Sequence, residues 1–542
     1  MNTQWWADAV IYEAYPRSFA DASGDGLGDL PGITSRLPYL ADLGVDAIWL
    51  TPFYPSPLAD GGYDVSDYTG VDPRLGTPAD FDTLVSAAAS RGIRVIVDLV
   101  PNHCSATHPT FLAALAAGPG SAERVLFIFR DGQGGDGELP PNNWRSAFGG
   151  PAWTRVTEAD GRPGQWYLHL FDASQPDWNW RDPRVLALFE KVIRFWLDRG
   201  AAGLRVDVAN GLYKDRELPD TAPAGSAAAD RDPCYHRPEL QELYRSWRAL
   251  LDSYPAAGFP GQRTAIGEVW YANPQAAVRT LRPYLASGGL RQVFNFQLLL
   301  AAWDAAALRE AIDATLAVDD GSRTPWILGS HDATRPVTRL APAMTAADGS
   351  GDEPDLVAGA RRARAAALLL LALPGSACIY QGEELGLPEV LDLPDAARAD
   401  PKFHRSGGQV KGRDGCRVPL PWSGTEPPFG FSEPLSTPWL PQPKDWDKYT
   451  VEAEDDDPAS FLSLYRTALR LRRELPALGA GPLEWVEAAP SMLAFTRGGS
   501  FSFAANLGTQ PVPLPPHREI LVASGPLHDG TLPADTAVWL AR

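Results

Sequence analysis

Eight short apolar runs recur along the chain with helical patterns between them, and that alternation restricts its architecture more than any other feature. The runs are Ala9–Tyr15, Val45–Pro52, Arg94–Val100, Gly203–Val208, Thr264–Val269, Gln292–Phe296, Pro325–Gly329 and Ala377–Tyr380. Each is rich in Val, Ile or aromatic residues, as strands buried on both faces are. Helical spacing marks Pro31–Gly44, Pro78–Gly92, Asp182–Gly200, Pro238–Tyr254, Asp304–Leu316, Leu356–Leu373 and Ser460–Leu475. In the clearest of these, Asp182 suits the N-cap and Pro183 the first helical position. Val185, Phe189, Val192, Ile193 and Trp196 share one face, and Gly200 suits the left-handed terminus. Strand and helix alternating in this way predict an α/β fold, a (β/α)8 TIM barrel.

Two segments interrupt the alternation. Residues 104–172 follow the third strand, are rich in Gly, Pro and Asn, and are too long for an ordinary loop, so they read as an inserted domain. Residues 385–458 form a second irregular insertion after the eighth strand. The barrel is then assigned to residues 1–103 and 173–477. From about residue 478 the pattern changes: Met492–Arg497, Ser500–Asn506, Glu519–Val522 and Ala537–Leu540 read as antiparallel strands of a C-terminal β-domain, 478–542.

Charge and cysteine content narrow the function. The 48 Lys+Arg against 67 Asp+Glu leave a net charge of -19, which disfavours nucleic acid and anionic lipid as partners. No apolar run reaches the about 18 residues of a membrane span, and no leader pattern is seen at the start. The four cysteines, Cys104, Cys234, Cys378 and Cys416, form no CxxC pair, so neither a zinc site nor a disulfide framework is expected. Cys378 sits in an apolar run and reads as a buried thiol. A reducing cytoplasm and a small imported substrate are the expectation.

In a barrel of this kind the chemistry sits at the C-terminal ends of the strands, and here those ends are unusually polar. They carry Asp98 with Asn102 and His103, Arg205 with Asp207, Glu268 with Trp270, and His331 with Asp332. A single buried acid is commonly structural; several at equivalent strand ends, beside two histidines and an arginine, point to a site. Carboxylates converging on one point suit glycoside hydrolysis, in which one attacks the anomeric carbon and another protonates the leaving oxygen. Arg205 and Asp207, two residues apart on one strand, point the same way. Such an arginine is expected to lower the Asp207 pKa, and a plain ion pair satisfies the same pattern.

These motifs resemble glycoside hydrolase family 13, the α-amylase family, and within it the α-glucosidase and oligo-1,6-glucosidase branch. The strand-end segments read Asp98-Leu-Val-Pro-Asn-His103, Gly203-Leu-Arg-Val-Asp207, Gly267-Glu268-Val-Trp and Ser330-His-Asp332, in the family's order. Gln175–Trp180 (QPDWNW) and Trp5–Ile33 extend the likeness, which runs through essentially the whole chain. The resemblance implies Asp207 as nucleophile, Glu268 as general acid/base and Asp332 as the supporting carboxylate. It implies that His103 and His331 hydrogen-bond the sugar and that Asp60 binds its non-reducing-end hydroxyls. Tyr63 would stack on the ring and Phe148 would form pocket wall, while Arg205 partners the nucleophile. Arg413, in GRDGCR, would close the pocket with Asp60, giving an exo-acting enzyme. Val208, next to the nucleophile, accompanies α-1,6 cleavage in that branch, whereas the GRDGCRVPLPW stretch is similar to broad-specificity α-glucosidases. The implied enzyme is a retaining α-glucosidase acting on a small oligosaccharide or disaccharide, with no organic cofactor. The alternative is an α-glucosyl transferase on the same scaffold, although no RxDRx segment follows Glu268.

Asp21, Ser23, Asp25, Leu27 and Asp29 space oxygen ligands at every second residue, the rhythm of an EF-hand loop, with a glycine at the sixth position. Position twelve is Gly32, so the closing glutamate is missing and the loop is no EF-hand. The resemblance implies a structural Ca²⁺ or Mg²⁺ here.

Overall fold

The computed structural model describes residues 4–222, 232–254, 261–271, 273–319, 323–345, 352–479 and 481–542. Eight parallel strands form the central sheet: β1 (Val10–Ala14), β2 (Ala47–Leu50), β3 (Arg94–Leu99), β4 (Gly203–Val206), β5 (Thr264–Gly267), β6 (Gln292–Val293), β7 (Trp326–Ile327) and β8 (Ala377–Tyr380). They hydrogen-bond in the order β7-β8-β1-β2-β3-β4-β5-β6. A single parallel bridge, Asn295 to Trp326, joins the two ends and closes the barrel. All eight expected strands are present; β8 keeps its expected bounds and the others are shorter.

Because side chains alternate along a strand, the barrel has two apolar layers. Ile11, Trp49, Ile96, Ile266, Phe294, Ile327 and Cys378 face inward and pack on one another, with Trp5 and Trp6 in the same cluster. Tyr12, Ile48, Leu50, Val95, Val97 and Leu204 face the surrounding helices. The inward register continues into the site: Ile11 is followed by Glu13, Ile96 by Asp98, and Ile266 by Glu268.

The helix over Pro183–Asp198 follows its sequence pattern, with Asp182 accepting from the Arg184 N–H and Val185, Phe189, Val192, Ile193 and Trp196 buried. Three local readings change. The expected helix Pro31–Gly44 is two, Leu30–Ser35 and Leu37–Leu43, broken at Arg36 ahead of Pro38. A helix over Ala277–Leu285, unmarked by the sequence reading, joins β5 to β6 despite Pro283 in its last turn. The segment after β3 is not all loop: Pro109–Ala117 is helical. It also holds a three-stranded antiparallel sheet in which Pro163–Leu168 lies between Phe129–Arg130 and Trp153–Thr157.

At the C-terminus, Leu483–Trp485, Met492–Arg497, Phe501–Asn506, Thr536–Ala541 and Glu519–Ala523 form, in that order, a five-stranded antiparallel sheet. It packs on the helix Leu356–Ala372, where Trp539 Nε1 donates to Leu368 O at 3.0 Å and Arg497 Nη1 to Ala372 O at 3.0 Å. No described helix is long and apolar enough to cross a membrane. The four cysteines are buried free thiols.

Candidate active site

Three strands deliver their acids to one guanidinium. Arg205 Nη1 donates to Asp207 Oδ1 at 2.6 Å and lies 3.1 Å from Asp98 Oδ1, while Arg205 Nη2 lies 2.8 Å from Glu268 Oε2. The cation is 3 % exposed, so these pairs are dry. Asp98 also accepts from Tyr63 Oη at 3.0 Å and Trp49 Nε1 at 3.2 Å, which fixes it beneath the pocket floor. Glu268 is gripped twice more: Trp270 Nε1 donates to Oε1 at 2.8 Å and the Val208 N–H to Oε2 at 3.0 Å.

Arg205 lowers the Asp207 pKa, as expected, but does not set it. Burial is the largest influence and pushes Asp207 well above the ordinary carboxylate range; Arg205 pulls down, and the Glu268 and Asp98 charges push up. Asp98, also raised mainly by burial, reaches about 6. Three carboxylates therefore share one cation.

The opposite wall is built around Asp332, which accepts from Arg413 Nη1 at 2.9 Å and Arg417 Nη2 at 2.8 Å. Burial raises its pKa, but the His331, Arg413 and Arg417 charges outweigh that and hold the carboxyl far below its usual range. Asp332 is thus held as an anion.

Arg413 closes one side of the pocket. Its Nη2 donates to Asp60 Oδ1 at 2.7 Å, and its own placement comes from Asp400, which accepts from Arg413 N at 2.7 Å and Nε at 2.5 Å. The guanidinium lies 5.1 Å from the Phe148 ring centroid. Gln175 Nε2 reaches both Asp60 Oδ2 and His103 Nε2 at 3.1 Å. Burial depresses the His103 pKa, so the ring is neutral and can accept there. Tyr63 and His331 stack with centroids 5.3 Å apart and planes 5° from parallel.

These groups line a cavity of about 980 Å³. Asp60, Tyr63, His103, Phe148, Asp207, Val208, Glu268, Asp332 and Arg413 all reach its surface; Arg205 and His331 stand behind it, and act on its contents through the acids and Tyr63. Sequence reasoning left out Gln175, Arg417, Asp400 and Glu13. Gln175 and Arg417 lay inside quoted motifs and were recoverable; Asp400 and Glu13 meet their partners only through the fold. Beyond Glu268 the wall turns aromatic, with Tyr235, Trp270, Tyr271 and Tyr284. Trp270 is 42 % exposed and is stacked on Phe296 at 3.9 Å.

Val208 has a φ of 46°, in the left-handed region that β-branched residues avoid. The turn that strains it also aims its N–H at Glu268.

In the loop 21–29 the carboxylates are turned onto the loop's own backbone. Asp21 Oδ1 accepts from Ser23 N, Ser23 Oγ and Gly24 N, and Oδ2 from Gly26 N and Ser432 Oγ. Asp29 caps the following helix through Gly32 N, and Asp25 accepts from Leu27 N. Gly26, at φ 89°, is obligatory, because a Cβ there would meet Thr437 O at 2.0 Å. Among the described residues, no three His, Cys, Asp or Glu side chains gather as a metal cluster. The oxygen chemistry of Asp21, Ser23, Asp25, Asp29 and the Leu27 carbonyl suits a hard cation.

Residues 13–481 match the α-amylase catalytic domain, and residues 493–539 match a domain of unknown function, DUF3459. A probable α-glucosidase of Rhizobium meliloti is 40% identical over 514 residues, covering 92% of this chain and 87% of that protein. An oligo-1,6-glucosidase of Parageobacillus thermoglucosidasius is 33% identical, covering 92% and 89%. Among solved structures, an α-glucosyl transfer enzyme, XgtA, superposes with a TM-score of 0.85 at 35% identity over 99% of both chains. The trehalulose synthase MutB of Pseudomonas mesoacidophila gives 0.84 at 28% identity over 100% of both.

Proposed function

The chain belongs to the α-amylase family of glycoside hydrolases, and on that footing we propose a retaining, exo-acting α-glucosidase that releases α-glucose from the non-reducing end of short α-glucosides. The observation that carries the reading is the bridging of Asp207 and Glu268 by adjacent nitrogens of Arg205 at 2.6 and 2.8 Å. Two carboxylates drawn to one guanidinium suit the double-displacement geometry, in which the carboxyl groups lie about 5–5.5 Å apart.

In the proposed reaction Asp207 attacks the anomeric carbon while Glu268, as general acid, passes a proton to the departing oxygen. Arg205 keeps the nucleophile paired as the acid loses its proton. Asp332, a permanent anion, faces the positive charge that develops on the ring. Water then enters, Glu268 takes its proton, and α-glucose leaves with its configuration retained. The Arg413–Asp60 pair supports exo action by blocking the channel an internal chain segment would need.

Transfer instead of hydrolysis is the second reading. The exposed face of Trp270, beside Glu268, offers an acceptor a surface to stack on, and XgtA is named for glucosyl transfer. Val208 favours α-1,6 linkages, and the cytoplasm is the proposed location. We also propose that the 21–29 loop holds Ca²⁺ or Mg²⁺, for which Asp21 would have to release some of its five donors.

An NMR time course with maltose, isomaltose, sucrose and trehalose tests these readings. Early α-glucose supports retention, and early β-glucose overturns it. New oligosaccharides would make the enzyme a transferase.

A further inference from the structure

Glu13 lies outside the chemistry described so far. It is on β1, faces the barrel interior and is 0 % exposed, yet it touches no pocket surface. A carboxylate buried this completely is costly unless it is bonded. Glu13 Oε1 accepts from the His331 backbone N–H at 3.3 Å and lies 2.5 Å from ring Nδ1. On the other side of the ring, His331 Nε2 lies 3.4 Å from Asp332 Oδ1. His331 is itself 1 % exposed, packed between the Tyr63 ring on the pocket wall and the Tyr15 ring, 6.1 Å away.

We propose that Glu13 is a positioning residue for the glycosidase reaction: it holds His331 with Nδ1–H donated inward, so that Nε2 points at Asp332 and Tyr63 lies flat against the sugar-binding wall. The His331 backbone N–H donates to the same Oε1, so that oxygen is an acceptor on this face and the matching role of the ring is donor, with the proton on Nδ1. Turning the ring would break the Nδ1 contact and leave Glu13 only the backbone N–H. Asp332 receives two arginines from the 413–417 segment; Glu13, on β1, secures His331 beyond the end of β7, two strands away. Outer partners of this kind fix tautomer and orientation in groups that act directly. The inference rests on the proposed glucosidase reading only for its kinetic test.

Two variants separate positioning from bulk stability. Glu13→Gln keeps an acceptor, and the His331 backbone N–H selects the amide oxygen to fill that place. Glu13→Leu keeps the volume and removes the acceptor. With p-nitrophenyl α-glucoside, Glu13→Leu is expected to lose about 10- to 100-fold in kcat with a smaller change in KM, and Glu13→Gln to recover most of it. Equal activity of folded Glu13→Leu and wild type would overturn the proposal, as would a loss confined to KM. An independent reading uses ¹⁵N-histidine NMR, with the His331 signals assigned through their loss in His331→Asn. Wild type and Glu13→Gln should show a protonated Nδ1 with a strongly downfield proton, and Glu13→Leu should lose it. A wild-type Nδ1 without its proton would refute the assignment. If wild type cleaves no α-glucoside, the glucosidase reading fails while the NMR result still decides the role of Glu13.

Discussion

The Val208 N–H donates to Glu268 Oε2 at 3.0 Å, so the residue after the proposed nucleophile orients the proposed acid from the neighbouring strand. Holding a β-branched residue at φ 46° costs about 1–3 kcal/mol. Val208→Thr keeps the shape, the strain and the N–H, and should leave Tm nearly unchanged. Because the side chain lines the cavity, its new hydroxyl is expected to raise the maltose rate relative to isomaltose. An unchanged ratio of the two kcat/KM values would remove Val208 from linkage selection.

Asp207→Asn should reduce turnover by at least about 10⁴-fold, since no carboxylate remains to attack. It should also unfold at a higher temperature than wild type. The substitution removes one of three acids crowded on Arg205, an acid that burial already drives toward its neutral form. Residual activity together with a lowered Tm would contradict both halves of this account.

Arg413→Ala breaks the contacts to Asp60, Asp332 and Asp400 at once. Truncating one partner of such buried pairs costs about 2–5 kcal/mol, so kcat/KM should fall about 10²–10³-fold. With the barrier gone, longer oligosaccharides should become relatively better substrates than disaccharides. A ladder assay against chain length measures this directly.

Stability should decline toward alkaline pH. Burial pushes Glu383 and Glu454 up to about 8. Between the unfolded value near 4.5 and the folded value, the folded protein holds more protons than the unfolded chain, so its stability falls as pH rises through that window. Asp332 works in the other direction: its folded pKa is depressed, and its contribution is lost only in acid. Urea midpoints from pH 5 to 9 should decrease for wild type and flatten in Glu383→Gln/Glu454→Gln. A midpoint that rises across the range would reverse the sign.

Chelation tests the 21–29 loop. If a cation binds there, EDTA should lower Tm and added Ca²⁺ or Mg²⁺ restore it, with Asp25→Ala abolishing the response. An identical Tm with and without chelator would leave Asp21 as the backbone-capping residue its five donors describe.

The barrel strands and the acids at their ends were legible because both obey short-range rules. Period and burial mark a strand, and the residue two beyond an inward apolar one continues inward, as from Ile96 to Asp98. The helix Ala277–Leu285 was hidden by Pro283, whose usual meaning is overridden where it falls in the last turn. Arg413 was readable, but Asp400, which orients it, was not: the two meet through a loop that carries no periodic signal. Glu13 looked like one more residue of a buried strand, and its partner His331 is 318 positions away. The direction of the Asp207 pKa depended on burial and on the other acids the fold brings to Arg205, which no single motif displays.

The bridge from Asn295 to Trp326 is the barrel's seam. β6 and β7 each contribute only two residues to the sheet, whereas β3 contributes six. Cohesion around the ring is therefore uneven, and slow amide exchange should be concentrated opposite the join, along β1 to β4. The seam should exchange first, through sub-global opening. Glu13, Asp98 and Arg205 sit in the durable arc, whereas His331 and Asp332 follow β7 at the seam, so a transient parting of the ring would separate the two halves of the proposed machinery.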